Sequence, residues 1–415
     1  MRSCFSIAPC GSDPDIDESC VDCYNRDMRA HDKGRLLFVD NLRIGLIALV
    51  VAHHVGQAYG PTGGWWYFSG LERAPILGAF FTVNRSFFMS LFFMISGYFI
   101  PQSFDRKKKG FLRDRFVRLG IPLLAFFWVI IPIMMYVYHI HFRPYGPIPF
   151  FSYYARFYFG LGPRPPLWGG PGWPDANFGH LWFVEHLLIF AVFYWLWRLL
   201  PFSRRKTTTA PARPPGSAQI AAFAVALAAV TFVVRLWYPI DRWIAFLHFI
   251  QVAFADVPRD LAFFVIGIVA YRRNWFSSIP KKTGMSWLAV GCAASATCCL
   301  LCLTGHVFFK AGGPGLGAFV FDLWEAFLCC GLCIGLTVLF RERLNFQGRL
   351  ARDLAASTYA VYLLHVPVLV PLQYAFGNAS LGPLTKFFLV TLITIPATFA
   401  ISSALRRAPL ARAVL

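Results

Sequence analysis

Residues 39–59 read VDNLRIGLIALVVAHHVGQAY. No charged or hydrogen-bonding side chain interrupts Ile44 to Ala52, and the window has the length of the ~20-residue helix needed to cross a ~30 Å hydrocarbon core. An ionisable side chain at such depth is costly and marks a functional position by default. Beyond Asp40 at its edge, this window holds three: Arg43, His53 and His54. At about 100° per residue, Arg43 and His54 differ by three turns plus about 20°, so they share one helix face and stand about 16 Å apart along the axis. His53 points about 100° away from His54 and cannot serve the same site in the same way. A membrane histidine is often only a packing residue. A cation and an imidazole on one face favour a site.

The rest of the chain repeats this pattern. Of 415 residues, 57% are hydrophobic and only 14% charged, too few charges to coat a soluble domain, whose charged fraction is nearer about one quarter. The expected fold class is therefore an all-α integral membrane protein. The formal charge of +19 would suggest a nucleic-acid ligand in a soluble chain. Here the bases lie in short runs between apolar stretches, so they set topology and no nucleic-acid partner is expected. Ten spans are expected, at 37–60, 76–101, 119–141, 179–200, 218–238, 252–271, 285–305, 318–340, 355–375 and 384–405. The sixth is the weakest, because Asp256, Pro258, Arg259 and Asp260 sit at its start. Alternate loops carry the bases: Arg106 to Arg118, Arg204 to Lys206, Arg272 to Lys282, Arg341 to Arg352, and the tail with Arg406, Arg407 and Arg412. The largest loop between them, 142–178, is rich in Pro, Gly and aromatics. With base-rich loops inside, both termini are expected in the cytosol.

Residues 1–35 are polar and acidic and are expected to form a disordered cytosolic extension; 36–405 form the transmembrane domain, and 406–415 a short basic cytosolic tail. Cys4, Cys10, Cys20 and Cys23 match no zinc-finger spacing, so no metal is expected. Cys292, Cys298, Cys299, Cys302, Cys329, Cys330 and Cys333 lie in apolar segments and read as packing residues.

Around the second and third spans, FFMISGYF (92–99) is followed by RFVRLGIPLL (115–124). Ser96 and Gly97 form a notch for close helix approach. No nucleophile elbow surrounds Ser96. Arg115 and Arg118 are three apart on one face, an arrangement suited to gripping phosphates; topogenic or lipid-phosphate charge is the competing reading. Glu185, inside HLWFVEHLLIF (180–190), could orient an imidazole or form a structural ion pair. It lies about 140° around the helix from His180, so those two are not facing neighbours.

These blocks, with VDNLRIGLIALVVAHH (39–54) and STYAVYLLHVPVLV (357–370), together resemble the acyltransferase-3 family of bacterial membrane O-acyltransferases. Within it they are similar to the branch that succinylates periplasmic glucans, in ISGYF, RLGIP and HLWF. The resemblance covers roughly 36–405. It implies a ten-helix fold in the inner (plasma) membrane that moves an acyl group, acetyl or succinyl, from cytosolic acyl-CoA to a hydroxyl of an extracytoplasmic carbohydrate. The family's Arg-x10-His pattern falls on Arg43 and His54 and its Arg-x-x-Arg pattern on Arg115 and Arg118. His180 and Trp182 match the HLWF block, and His365 the late YLLH-P block; these three are placed with the substrate.

Acyl transfer from a thioester requires a base for the acceptor hydroxyl, donors for the oxyanion and cations for the coenzyme phosphates. His54 is the natural base. Arg43 would orient the thioester or stabilise the oxyanion, with Glu185 as an orienting carboxylate and Arg115 and Arg118 holding the phosphates. The expected partners are acyl-CoA, a carbohydrate acceptor, membrane lipids and glycan-synthesis proteins. The chain ends ten residues after the last span, which leaves acceptor handling to the outer loops or a partner protein. Trp168, Trp173, Tyr153 and Tyr154 read either as sugar-stacking rings or as an interfacial aromatic belt. Two rivals stand beside the enzyme: a proton-coupled secondary transporter or exporter, which also buries Arg, His and Glu, and a lipid-binding scaffold, which would not need Arg43 and His54.

Overall fold

The computed structural model describes residues 35–415 apart from 62–66, 69, 71, 170–171, 202–212, 247–249, 307–311, 413 and 415. The chain divides into Met1–Leu37, of which only 35–37 are described, and Phe38–Leu415. The expected N-terminal extension and its four cysteines thus lie outside the described residues.

The first helix, α1, is Leu37–Gln57, and α2 is Leu77–Lys107. At 31 residues, α2 is about 47 Å long, more than a ~30 Å core requires. It ends at Lys108, whose φ of 43° breaks the helical path. The chain then folds back on itself: Phe111 meets Phe104 at 5.3 Å between ring centroids, Arg115 donates to the Ser103 hydroxyl at 2.5 Å, and Lys107 pairs with Asp114. The returning arm is made of α3 (Phe111–Arg115), α4 (Ile121–Ala125) and α5 (Ile131–Phe142), joined by π-helical turns at Phe116–Gly120 and Phe126–Ile130. Pro122 and Pro132 follow these wide turns, which accommodate residues lacking an N–H donor.

After an outer segment come α6 (Trp182–Leu199), α7 (Ser217–Arg235), α8 (Val257–Arg272), α9 (Lys281–Leu303), α10 (Leu316–Arg343), α11 (Arg349–Ala375) and α12 (Pro383–Leu405). Gly216, Gly315, Gly348 and Gly382 precede four of these helices. The small residue leaves the first N–H groups open to water and headgroups. Strand structure among the described residues is confined to one antiparallel hairpin, Trp243–Phe246 with Ile250–Ala253.

Among the described residues eight helical stretches are long and apolar enough to cross a membrane. One of them, Leu77–Phe142, contains both arms of the folded-back pair. The expected sixth span is the 16-residue α8, about 24 Å long, entered through the β-hairpin. Its Arg259 and Asp260 are buried inside the bundle, which explains how charges sit in an apolar segment without facing lipid.

The Ser96–Gly97 notch receives α8. A Cβ on Gly97 would lie 2.1 Å from the Phe264 carbonyl oxygen, and one on Gly267 2.1 Å from that of Met94. The two backbones therefore touch, as small residues permit in membranes. Cys329, Cys330 and Cys333 are buried in α10, consistent with packing thiols. Gly97→Val and Gly267→Val should each lower the thermal unfolding midpoint in detergent, an overpacking cost of about 1–3 kcal/mol or more. Gly110→Ala, where an added Cβ meets nothing within 4 Å, should leave the midpoint unchanged.

Candidate active site

The sequence-derived face of α1 packs against α11. Near the start of α1, Asn41 donates to the carbonyls of Leu344 and Phe346, just before α11. Further along, Arg43 donates to the Thr358 hydroxyl at 3.0 Å, His54 lies 3.2 Å from His365 (Nδ1 to Nε2), and Gln373 donates to the Val55 carbonyl at 3.3 Å. Both series rise together, so the helices run parallel. Thr358 and His365, seven residues apart, share a face of α11 as Arg43 and His54 share one of α1. The arginine's length covers the difference in rise between the two pairs.

Three histidines meet at the upper end of this seam. The His54 and His365 rings are 4.8 Å apart, and His180 approaches His365 edge-on at 5.0 Å. Each is tied to a backbone carbonyl: His54 Nδ1 to Val50 at 2.9 Å, His365 Nδ1 to Tyr362 at 2.7 Å, His180 Nε2 to Leu363 at 3.1 Å. His180 arrives from a short 3-10 turn, Gly179–Leu181, ahead of α6, and the Tyr362 hydroxyl donates to its carbonyl. His53 instead packs its ring among Phe80, Phe81 and Phe88. The 100° between adjacent positions separates the two imidazoles as expected.

At the α2–α3 turn lies a cavity of about 390 Å³. Its lining combines cations, Arg43, Arg106, Lys107, Arg115 and Arg118, with an apolar part that includes Ile47, Phe92 and Phe183. The Tyr359 hydroxyl, also in the lining, donates to the Arg118 carbonyl at 2.6 Å. Tyr362 belongs to this lining and contacts His180 with its hydroxyl and His365 with its carbonyl. A polyanion with an apolar arm fits such a lining: guanidinium groups for phosphate, aliphatic and aromatic walls for the arm.

The remaining sequence candidates lie apart from the histidines. Glu185 is buried, and neither of its oxygens has a hydrogen-bond partner among the described residues; it does not contact an imidazole. Trp182 packs on Phe93, His186 and Trp243. In the outer segment, Arg143 and Asp175 form a buried two-bond pair at 2.5 and 2.9 Å. Tyr153 donates to Asp175 at 2.7 Å, and Trp168 covers the Arg143 guanidinium 4.0 Å from its ring centre. Burial pushes the Asp175 carboxyl above the usual carboxylate range, while its bonds to Arg143 and Tyr153 pull it back. Tyr153 and Trp168 are thus engaged in holding this segment together.

The sequence reading passes over a buried ion network. Arg235 pairs with Asp322, with Glu325 at 2.8 Å and with Asp256 at 3.3 Å. Arg259 pairs with Glu325 at 2.5 Å and Asp256 at 3.2 Å, and Arg85 with Asp256 at 2.9 Å. Ser90 donates to Asp260 at 2.8 Å. The network joins α2, α7, α8 and α10. The available signal is opposite charge inside apolar windows: Arg85 in one, Asp322 and Glu325 in another. Among the described residues no group of His, Cys, Asp and Glu is arranged to hold a metal ion.

The described residues thus form a multi-helix fold in which a cavity rich in cations lies near a buried histidine pair. The acyltransferase-3 family model, described as an acyltransferase domain, matches residues 36–406, and the chain belongs to that family. The described chain therefore carries an acyltransferase domain on membrane-length helices. It is 34% identical over 92 residues to glucans biosynthesis protein C of Escherichia coli K12. That match spans 22% of this chain and 23% of the relative, less than a quarter of either, and it fits the branch that the sequence blocks resemble. No solved structure matches the chain significantly.

Removing one partner from the ion network leaves a buried charge uncompensated. Glu325→Ala should cost about 3–5 kcal/mol of stability, read as a lower unfolding midpoint in detergent. Arg259→Leu with Glu325→Leu should cost less than either change alone.

Proposed function

We propose that the protein transfers an acetyl or succinyl group from cytosolic acyl-CoA to a hydroxyl of an extracytoplasmic glycan, as a ten-span protein of the inner membrane with both termini in the cytosol. The domain lies within 36–405, flanked by cytosolic 1–35 and 406–415. The observation that carries the reading is the cation-lined cavity meeting, through Tyr362, the His54–His365 pair. Membership in an acyltransferase family supports it, and the similarity to a glucan-biosynthesis protein favours a carbohydrate acceptor. No metal takes part in the proposal.

In this reaction His54 takes the proton of the acceptor hydroxyl as its oxygen attacks the thioester carbon. The carbon–sulfur bond breaks, the acyl group stays on the acceptor oxygen, and the proton passes to the coenzyme thiolate. Arg43, held by Thr358 in the cavity lining, orients the donor arm that leads to the thioester. Arg115 and Arg118 hold the coenzyme phosphates, joined by Arg106 from the same lining. His180 and Trp182 stand on the acceptor side, and Glu185 supplies a buried carboxyl on α6.

Three measurements test this reading. Reporter fusions after 110, 160, 210 and 278 should read inside, outside, inside and inside; an outside signal at 278 overturns the topology of the sixth and seventh spans. Replacing Arg115 and Arg118 together by Lys should raise KM for acyl-CoA more than it lowers kcat, because an ammonium does not reproduce a guanidinium fork. A loss independent of donor concentration assigns those arginines to topology instead. His54→Ala should lower thiol release and product by about 10²- to 10⁴-fold, whereas His53→Ala at matched abundance should act mainly through stability. Full activity in both variants, or no protein-dependent thiol release at all, favours a proton-coupled transporter.

A further inference from the structure

We infer that His365 is the positioning residue for His54: it accepts the His54 Nδ1 proton, holds the ring so that Nε2 is the basic nitrogen, and stabilises the imidazolium that forms in turnover. This rests on the proposed role of His54 as base. The hydrogen bonds assign the tautomers without reference to any relative. A carbonyl oxygen only accepts, so His365 Nδ1, 2.7 Å from the Tyr362 carbonyl, carries that ring's proton. Its Nε2 in the neutral ring is then a lone pair. The same logic applies to His54, whose Nδ1 lies 2.9 Å from the Val50 carbonyl and so carries the proton. That N–H is shared with His365 Nε2 at 3.2 Å. The unprotonated nitrogen of His54 is therefore Nε2.

Burial supports a positioning role over acceptor binding. His365 has 0% of its surface exposed, and both of its ring nitrogens are engaged, one by a carbonyl and one by His54. No ring nitrogen remains for a sugar hydroxyl. His180 packs edge-on against the same ring while its Nε2 donates to the Leu363 carbonyl, so the imidazole is clamped from two sides. When His54 takes a proton at Nε2, its Nδ1–H becomes a charged donor, and its bond to the His365 lone pair strengthens. This is the task of the third member of a catalytic triad, carried out here by a neutral imidazole. Glu185, the carboxylate suited to that place, makes no hydrogen bond to the ring among the described residues.

The test uses the full-length protein in nanodiscs, with thiol release and acylated product followed over acyl-CoA concentration. His365→Phe keeps an aromatic ring but removes the acceptor nitrogen. It should lower kcat about 10- to 100-fold, the usual scale for losing a partner that orients a functional histidine, with KM for acyl-CoA unchanged. His365→Gln, whose amide oxygen accepts from His54 while its NH₂ faces the Tyr362 carbonyl, should recover most of that loss at equal abundance and unfolding midpoint. In a His54→Ala background, His365→Phe should cost nothing further, since two residues acting as one unit are not additive. Equal activity in His365→Phe and wild type, failure of Gln to rescue, or a loss confined to KM overturns the positioning role. So does an undiminished penalty in the His54→Ala background. Wild-type turnover of His54→Ala alone overturns the assignment of His54 itself, which is a different failure with a different readout.

Discussion

Two arginines and three carboxylates buried between α7, α8 and α10, with half-buried Arg85 of α2 and Asp256 at their edge, constrain how these helices pack. In a low-dielectric interior an unpaired charge is costly, and a paired one gains little net stability over a well-packed apolar substitute. Such a network discriminates between arrangements rather than adding stability. Any shift of α8 that separates Arg259 from Glu325 strands a charge away from water. The backbone contact of Gly97 with Phe264 and of Gly267 with Met94 acts on α2 and α8. Sterics fix their distance, and charge fixes the register of α8.

Helix α2 carries this placement to the site. Residues 85–97 are held by the ions and by α8, while 92–107 supply Phe92, Ser96, Ser103 and Arg106 to the cavity lining. The fold-back at Lys108 brings Arg115 and Arg118 to the same cavity, and Arg115 is fastened to Ser103. The cations thus stand on a short, braced turn rather than on a free loop. Opposite them, α11 contributes Thr358, Tyr359 and Tyr362 to the lining and His365 one turn further on. On α11 the cavity-lining residues and His365 thus occupy successive turns.

Much of this was legible in the chain. Apolar windows located the long helices, and the eleven-residue spacing of Arg43 and His54 placed both on one face, which packs as one seam against α11. The 100° between His53 and His54 foretold their different surroundings. The partner of His54 was legible only as part of a resembling block, because the 311 residues separating it from His365 carry no local pattern. Helical periodicity states which way a side chain points, not what it meets. Glu185 illustrates that limit: buried as expected, it pairs with none of the imidazoles. The ion network was visible as isolated charges in apolar windows, but a rule that reads one window at a time cannot join Arg85 to Asp256 or Arg235 to Asp322. The outer aromatics had two sequence readings, and packing added a third use for Tyr153 and Trp168, holding Asp175 and covering Arg143.

The proposed chemistry also explains why a neutral imidazole suffices beside His54. Acyl transfer from a thioester to a hydroxyl moves one proton from oxygen to sulfur within a single turnover, so no charge accumulates on the enzyme. A permanent carboxylate next to His54 would stabilise the imidazolium more strongly, but it would have to be buried among apolar helices with no cation close by. In the ion network each carboxylate is matched by an arginine; along the α1–α11 seam Arg43 is about 16 Å of helix away and already bound to Thr358. A lone pair on His365 supplies an acceptor that is strong when His54 is charged and inexpensive to bury when it is not. The electrostatics of the span thereby favour a base whose charge exists only while the proton is in transit.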